Sequence, residues 1–135
     1  MKKNMRNLAF MALFSALFGC SSHAENQLTV SGLAFYNDSN ETIENVTLKV
    51  TETGKMVSCT LVEPKRYCAT GFPQTHYKNA KLSLSWQVSG NYAVTNEVVF
   101  TKPAPVDSDI SYIAVIKFNS TRGLDAFFTK NPRPF

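Results

Sequence analysis

Histidine, cysteine, net charge and long apolar runs are all scarce in this 135-residue chain, and each scarcity excludes something. Lys plus Arg number 14 against 10 Asp plus Glu, but Lys2, Lys3 and Arg6 precede an apolar run, and the chain beyond them is close to neutral. A nucleic-acid binder replaces phosphate counterions with a basic face, for which this body has little surplus charge, so no nucleic-acid partner is expected. Of the two histidines only His76 lies beyond the leader region. A metal site needs about four ligands and the body offers His76 beside two sulfurs, so neither metal nor cofactor is expected. No apolar segment approaches the roughly 20 residues of a membrane-spanning helix. No G-x-S-x-G frame, Gly-rich phosphate loop or internal repeat is present. With 44% hydrophobic and 18% charged residues, the chain suits one domain with a modest core and not a multidomain enzyme.

What is present begins with a leader. Three cations in residues 1–6 are followed by Leu8 to Phe18, an apolar run of about a dozen residues, which is the grammar of a signal peptide. Leu17-Phe18-Gly19-Cys20 resembles a bacterial lipobox, with a Leu three residues before the Cys and a small residue just before it. The resemblance implies cleavage after residue 19, a lipid on the Cys20 thiol, and anchoring in the membrane. Ser21 after that Cys implies the outer membrane, facing the periplasm. The rival site, Ser22-His23-Ala24, would release a soluble periplasmic or secreted protein beginning at Glu25. Residues 20–27 then form a tether, 28–130 the domain and 131–135 a tail. Cys59 and Cys68 remain by either route. An even pair in a small exported domain reads as one disulfide, and a separation of nine suits neighbouring strands of a hairpin; two free thiols are the alternative.

From Leu28 onward, apolar and polar residues alternate in short runs between turn clusters, and no segment has helical periodicity. Lys81 to Val88 is the clearest strand, with Leu82, Leu84, Trp86 and Val88 on one face. Val46, Leu48 and Val50 repeat the pattern, and Val57, Cys59 and Leu61 continue it. Between Leu28 and Tyr36 the apolar phase slips at Gly32, which predicts a β-bulge. Ile110 to Phe118 is apolar on both parities, predicting a central strand covered on both faces, with Tyr92 to Phe100 and Leu124 to Thr129 beside it. Gly90-Asn91 predicts a tight hairpin, and Asn119 to Gly123 a longer turn. The count is about 7–8 strands, an all-β antiparallel sandwich.

Gly32-Leu33-Ala34-Phe35-Tyr36-Asn37-Asp38-Ser39, followed by Ile43 to Val50 and Gly54, resembles the opening hairpin of FxLYD-type immunoglobulin-like domains and is similar to small bacterial lipoproteins carrying them. The match covers about 25 residues. It implies a single immunoglobulin-like β-sandwich and a life in the cell envelope, and it implies no reaction. Antibody-type domains join distant strands by their disulfide and pack a Trp on it; a Cys59–Cys68 bond would be local, leaving Trp86 free of that role.

The residues available for chemistry point the same way. His76 stands alone in a polar loop. Asp107 with Asp109, and Glu41 with Glu44, are carboxylate pairs in polar turns where solvated acids are expected. Asp38 to Glu41 clusters oxygens without the loop of a calcium site. No catalytic residue is assigned. A binding or structural role is left, toward an envelope protein or a glycan. Tyr36, Tyr67, Tyr77 and Tyr92 lie near strand ends, where three on one flat surface would favour a sugar. The segment Pro64, Lys65, Arg66 and Tyr67, between the two cysteines, is the expected contact surface, with Pro73, His76 and Tyr77 of the next loop beside it.

Overall fold

Alternation makes each segment a strand with one face to bury, and two such sheets bury their faces against each other. A computed structural model describes residues 27–95, 97–120 and 123–130. The leader, Cys20 with most of the tether, and the tail lie outside the described residues. The chain runs β1 (Thr29–Asn37), β2 (Ile43–Val50), β3 (Met56–Val62), β4 (Tyr67–His76), β5 (Leu82–Val88), β6 (Asn91–Thr95), β7 (Ser111–Phe118) and β8 (Leu124–Thr129). They form two four-stranded sheets, β4-β1-β7-β8 and β3-β2-β5-β6. The expected all-β sandwich is therefore present, with no helix among the described residues. Its strand order is its own: β1 and β7 pair in parallel, and the first, fourth, seventh and eighth strands share a sheet. Antibody constant domains place their first, second, fourth and fifth strands together.

The core lies between the sheets. Leu33, Phe35, Tyr112, Ile116 and Phe118 from the first sheet meet Ile43, Val46, Leu84 and Val62 from the second, all nearly inaccessible to solvent. The slip at Gly32 is a bulge, since the register of β1 shifts between Val30 and Gly32 against both neighbours. It lets Leu28 and Val30 before it, and Leu33 and Phe35 after it, all join the core. Gly32 also allows β4 to come close, because a Cβ there would stand 3.2 Å from the Thr70 carbonyl oxygen. A second slip was not foreseen. Asn45 has φ 50° and the β2 register shifts between Glu44 and Thr47, so Ile43 and Val46, three apart, both face inward. β7 is covered on both faces as expected, with Ile116 inside and Val115 on the other face, each at 0% exposure.

Three local expectations are corrected. The segment Tyr92 to Phe100 does not flank β7. Its strand part, β6, pairs with β5 in the opposite sheet, and residues 97–110 lead to the other sheet, where β7 lies between β1 and β8. The tight turn is Ser89-Gly90, not Gly90-Asn91, because Val88 pairs with Asn91 and both turn residues have positive φ, 50° and 79°. That is the type I′ geometry, which matches strand twist and favours Gly at its second position. Finally, β3 and β4 are not a hairpin but the edge strands of opposite sheets.

Candidate functional site

The segment 63–66 is thus a corner between sheets. Pro64 occupies the position where a fixed φ is favoured, Lys65 follows with φ 61°, and the Arg66 amide donates to the Glu63 carbonyl at 3.1 Å, a type II arrangement. The corner is tied to the end of β1 by a reciprocal pair, Lys65 N–H to the Asn37 carbonyl at 2.8 Å and Asn37 N–H to the Arg66 carbonyl at 3.0 Å. Lys65 Nζ also donates to the Asp38 carbonyl at 2.7 Å and to its carboxylate at 3.0 Å. Lys117 approaches the same carboxylate at 3.7 Å. The hydrogen bond from Lys65 holds the Asp38 carboxyl below the usual range against the opposing effect of desolvation, and the charges of Lys65 and Lys117 add to the lowering.

The Cys59–Cys68 disulfide is present, with Cα atoms 6.4 Å apart. It joins β3 to β4, and so one sheet to the other. The hairpin expectation fails because a separation of nine fits a corner equally well once both sulfurs point between the sheets. Immediately before Cys68, Tyr67 opens β4, is 46% exposed and stands opposite Tyr36 in register. Arg66 is exposed and forms no ion pair among the described residues, whereas the Lys65 charge is met by Asp38.

Asn37 organises this region. It is the one buried polar side chain among the described residues, at 0% exposure. Its Nδ2 donates to the Glu41 carbonyl at 2.6 Å and to the Val62 carbonyl at 3.0 Å. Its Oδ1 accepts from the Ser39 amide at 3.0 Å and the Ser39 hydroxyl at 2.6 Å. Both donors and the acceptor are used, so burial costs little. The turn 38–41 is therefore built around an amide, as a turn and not a cation loop.

His76 and Tyr77 do not join the corner. β4 separates them from Tyr67, and ten residues at about 3.3 Å each place the two ends roughly 30 Å apart. Exposed His76 has Thr29 Oγ1 at 3.4 Å from its Nδ1. Tyr77 is an inner ring, edge-on to Phe100 at 6.2 Å and Phe128 at 5.0 Å, with Lys102 Nζ 5.5 Å over its face. Burial pushes its phenol above the ordinary value, against a backbone hydrogen bond with Phe100. Three tyrosines on one flat surface are not found among the described residues: Tyr36 and Tyr67 are adjacent, and Tyr92 is on the other sheet. Tyr112, on β7, is buried, its hydroxyl accepting from the Asp107 amide at 2.9 Å.

The Asp107–Asp109 pair belongs to a turn, and the Glu41 and Glu44 side chains are exposed. Asp107 caps its own turn through the Asp109 amide at 3.0 Å and meets Lys130 at 3.4 Å. Among the described residues no three His, Cys, Asp or Glu converge as a metal site, and no helix is long and apolar enough to cross a membrane.

One site escaped the sequence reading. At the same end of the sandwich as the corner, a cleft of about 290 Å³ opens between the β5–β6 hairpin and the β7–β8 turn. Trp86 and Phe118 line it, their rings 5.5 Å apart at 65°. Glu41, Asn91, Tyr92, Asn119 and Ser120 complete its rim. The available signal was Trp86 on the inward parity two residues before the end of a strand, next to a Gly turn and opposite the Asn119 turn.

No family model and no curated protein matches the chain. Among solved structures it is similar to an NMR structure of a protein from Eubacterium rectale, at 8% identity over 84% of this chain and 98% of that one, with a TM-score of 0.42. A likeness at that level carries no argument about this chain.

Proposed function

We propose that this chain is an exported binding module of the bacterial cell envelope, without a catalytic role, anchored by lipid at Cys20 in the outer membrane and facing the periplasm. It contacts an envelope protein through the β3–β4 corner. The observation that carries the reading is the preorganisation of that corner. A disulfide, the reciprocal backbone pair with Asn37 and the Lys65–Asp38 contacts fix it from three sides. A partner meeting Arg66 and Tyr67 there has little ordering cost to overcome, and Arg and Tyr are residue types that often dominate interface energies. Anchoring rests on the leader grammar and on the resemblance of Leu17 to Cys20 to a lipobox, since a lipidated thiol with an acylated amino terminus holds far more firmly than one chain. The FxLYD-type resemblance supports the same envelope setting.

Photocrosslinking in intact cells tests the surface. A crosslinker at position 66 should capture a discrete partner while one at position 49, on the outer face of β2, captures none; equal or absent adducts at 66 would exclude the corner. Mass spectrometry of the mature amino terminus tests the anchor. A diacylglyceryl-modified Cys20 is expected, and a free terminus at Glu25 would replace the anchored reading with a soluble one.

A further inference from the structure

We propose that β6 is a self-association edge, through which two copies of this chain pair antiparallel into one continuous sheet, separate from the protein-contact corner. β6 (Asn91–Thr95) is the last strand of its sheet, and no described residue pairs with it on its outer side. Edge strands accept a further strand unless something blunts them. β8 has its outer edge engaged by Thr101, whose N–H donates to the Ala126 carbonyl at 2.9 Å. β4 carries Pro73 where its register against β1 shifts, and β3 is stapled to β4 at Cys59. β6 contains no charge, no proline and no register shift against β5. It exposes apolar side chains instead, Tyr92 at 64% and Val94 at 55%.

The backbone phase of β6 selects the occupant. A two-residue turn makes its flanking residues, Val88 and Asn91, exchange hydrogen bonds, so Asn91, Ala93 and Thr95 turn their backbone groups toward β5. Tyr92 and Val94 turn theirs to the free edge. A second β6 laid antiparallel about a twofold axis at Ala93 sets Tyr92 of each copy opposite Val94 of the other. Both are then hydrogen-bonded pairs, and the outward N–H and C=O groups of Tyr92 and Val94 are all used. The same register lays each Tyr92 ring beside a Val94 side chain on the outer face, an aromatic and β-branched pairing that stabilises sheets. With the axis at Tyr92, Val94 would face the Gly90 turn instead. An uncharged strand also meets its own copy without repulsion. The order β3-β2-β5-β6 leaves the β3–β4 corners at the two far edges of the joined sheet, roughly 34 Å apart at about 4.8 Å per strand, both free for a bivalent partner.

Disulfide trapping in intact cells tests the pairing. Across a non-hydrogen-bonded antiparallel pair the Cα atoms lie about 4.5 Å apart, within disulfide range, so Ala93→Cys should crosslink to its own copy under mild oxidation. Lys49→Cys, on the outer face of β2 in the middle of the sheet, should not. Adding Val94→Lys should cut the Ala93→Cys dimer by about tenfold or more, since a charge replaces the apolar cross-strand contact in both copies, with unchanged circular dichroism of the purified protein. Arg66→Ala should leave the dimer intact, which keeps failure here separate from failure of the corner. No dimer from position 93, as much from position 49, a crosslink from 93 to a different protein in place of the dimer, or an undiminished dimer with Val94→Lys overturns the proposal.

Discussion

Asn37 and Val62 tie the two sheets together: the Asn37 amide, on β1, donates to the Val62 carbonyl at the end of β3 at 3.0 Å, in a wholly buried setting. The same side chain orders the 38–41 turn, and its backbone holds the 63–66 corner. One residue thus sets the geometry of two loops from different sheets.

Asn37→Ala should lower unfolding stability by about 2 to 4 kcal/mol, since it leaves a cavity and buried carbonyls without donors. Asn37→Asp should be no milder, because a carboxylate would face the Glu41 and Val62 carbonyls in place of a donor. Urea unfolding followed by Trp86 emission measures both.

Replacing both cysteines, Cys59→Ala with Cys68→Ala, should cost roughly 2 to 3 kcal/mol, the chain-entropy value for a loop of about ten residues. Against a typical total of about 5 to 15 kcal/mol that is a clear fall in melting temperature. Neither Cys59 nor Cys68 of the native protein should react with a thiol reagent.

The Asp38 carboxyl has its pKa lowered in the folded state, so folding favours its ionised form. The stability it contributes is complete above the unfolded carboxylate value of about 4 and is lost as pH falls through the lower folded value. Asp38→Asn should therefore flatten the acid limb of the stability profile between about pH 5 and 3 while leaving the slope near pH 7 unchanged. The effect is modest, because the group is solvent-exposed. Denaturant midpoints measured across that range decide it.

The Ser89-Gly90 turn allows a stabilising change. Ser89 adopts φ 50°, a conformation that Asn tolerates better than Ser. Ser89→Asn should raise stability by about 0.5 kcal/mol, and Gly90→Ala, at φ 79°, should lower it by about 1 kcal/mol. Thermal unfolding of both against the parent protein is the measurement.

Much of the fold was legible because period-two alternation is a local property. Leu82, Leu84 and Trp86 must share a face wherever their strand pairs, and a phase slip at Gly32 must be a bulge in any sheet. The burial of both faces of β7 followed from its composition in the same way. Asn45 hid its slip because Asn, unlike Gly, does not announce a left-handed conformation. Likewise, nothing local marks Asn37 as buried, for its partners include a carbonyl 25 residues away.

The sequence by itself determined the all-β alternation, strands such as Lys81 to Val88 with Leu82 and Leu84 inward, and an even pair of cysteines. Leu61, expected on the face of Val57 and Cys59, is exposed, and Val62 is buried instead. Tertiary structure alone decided which strands became neighbours. The path of residues 97–110 puts β7 beside β1, and the corner at 63–66 sends β4 to the opposite sheet, so a disulfide between cysteines nine apart in sequence staples two layers. It also parted Tyr67 from His76 and assembled the Trp86 cleft from segments that start at Ser39 and end at Gly123. The reason is physical: alternation fixes the face a residue presents, whereas pairing and cleft formation depend on where each connection delivers the next strand.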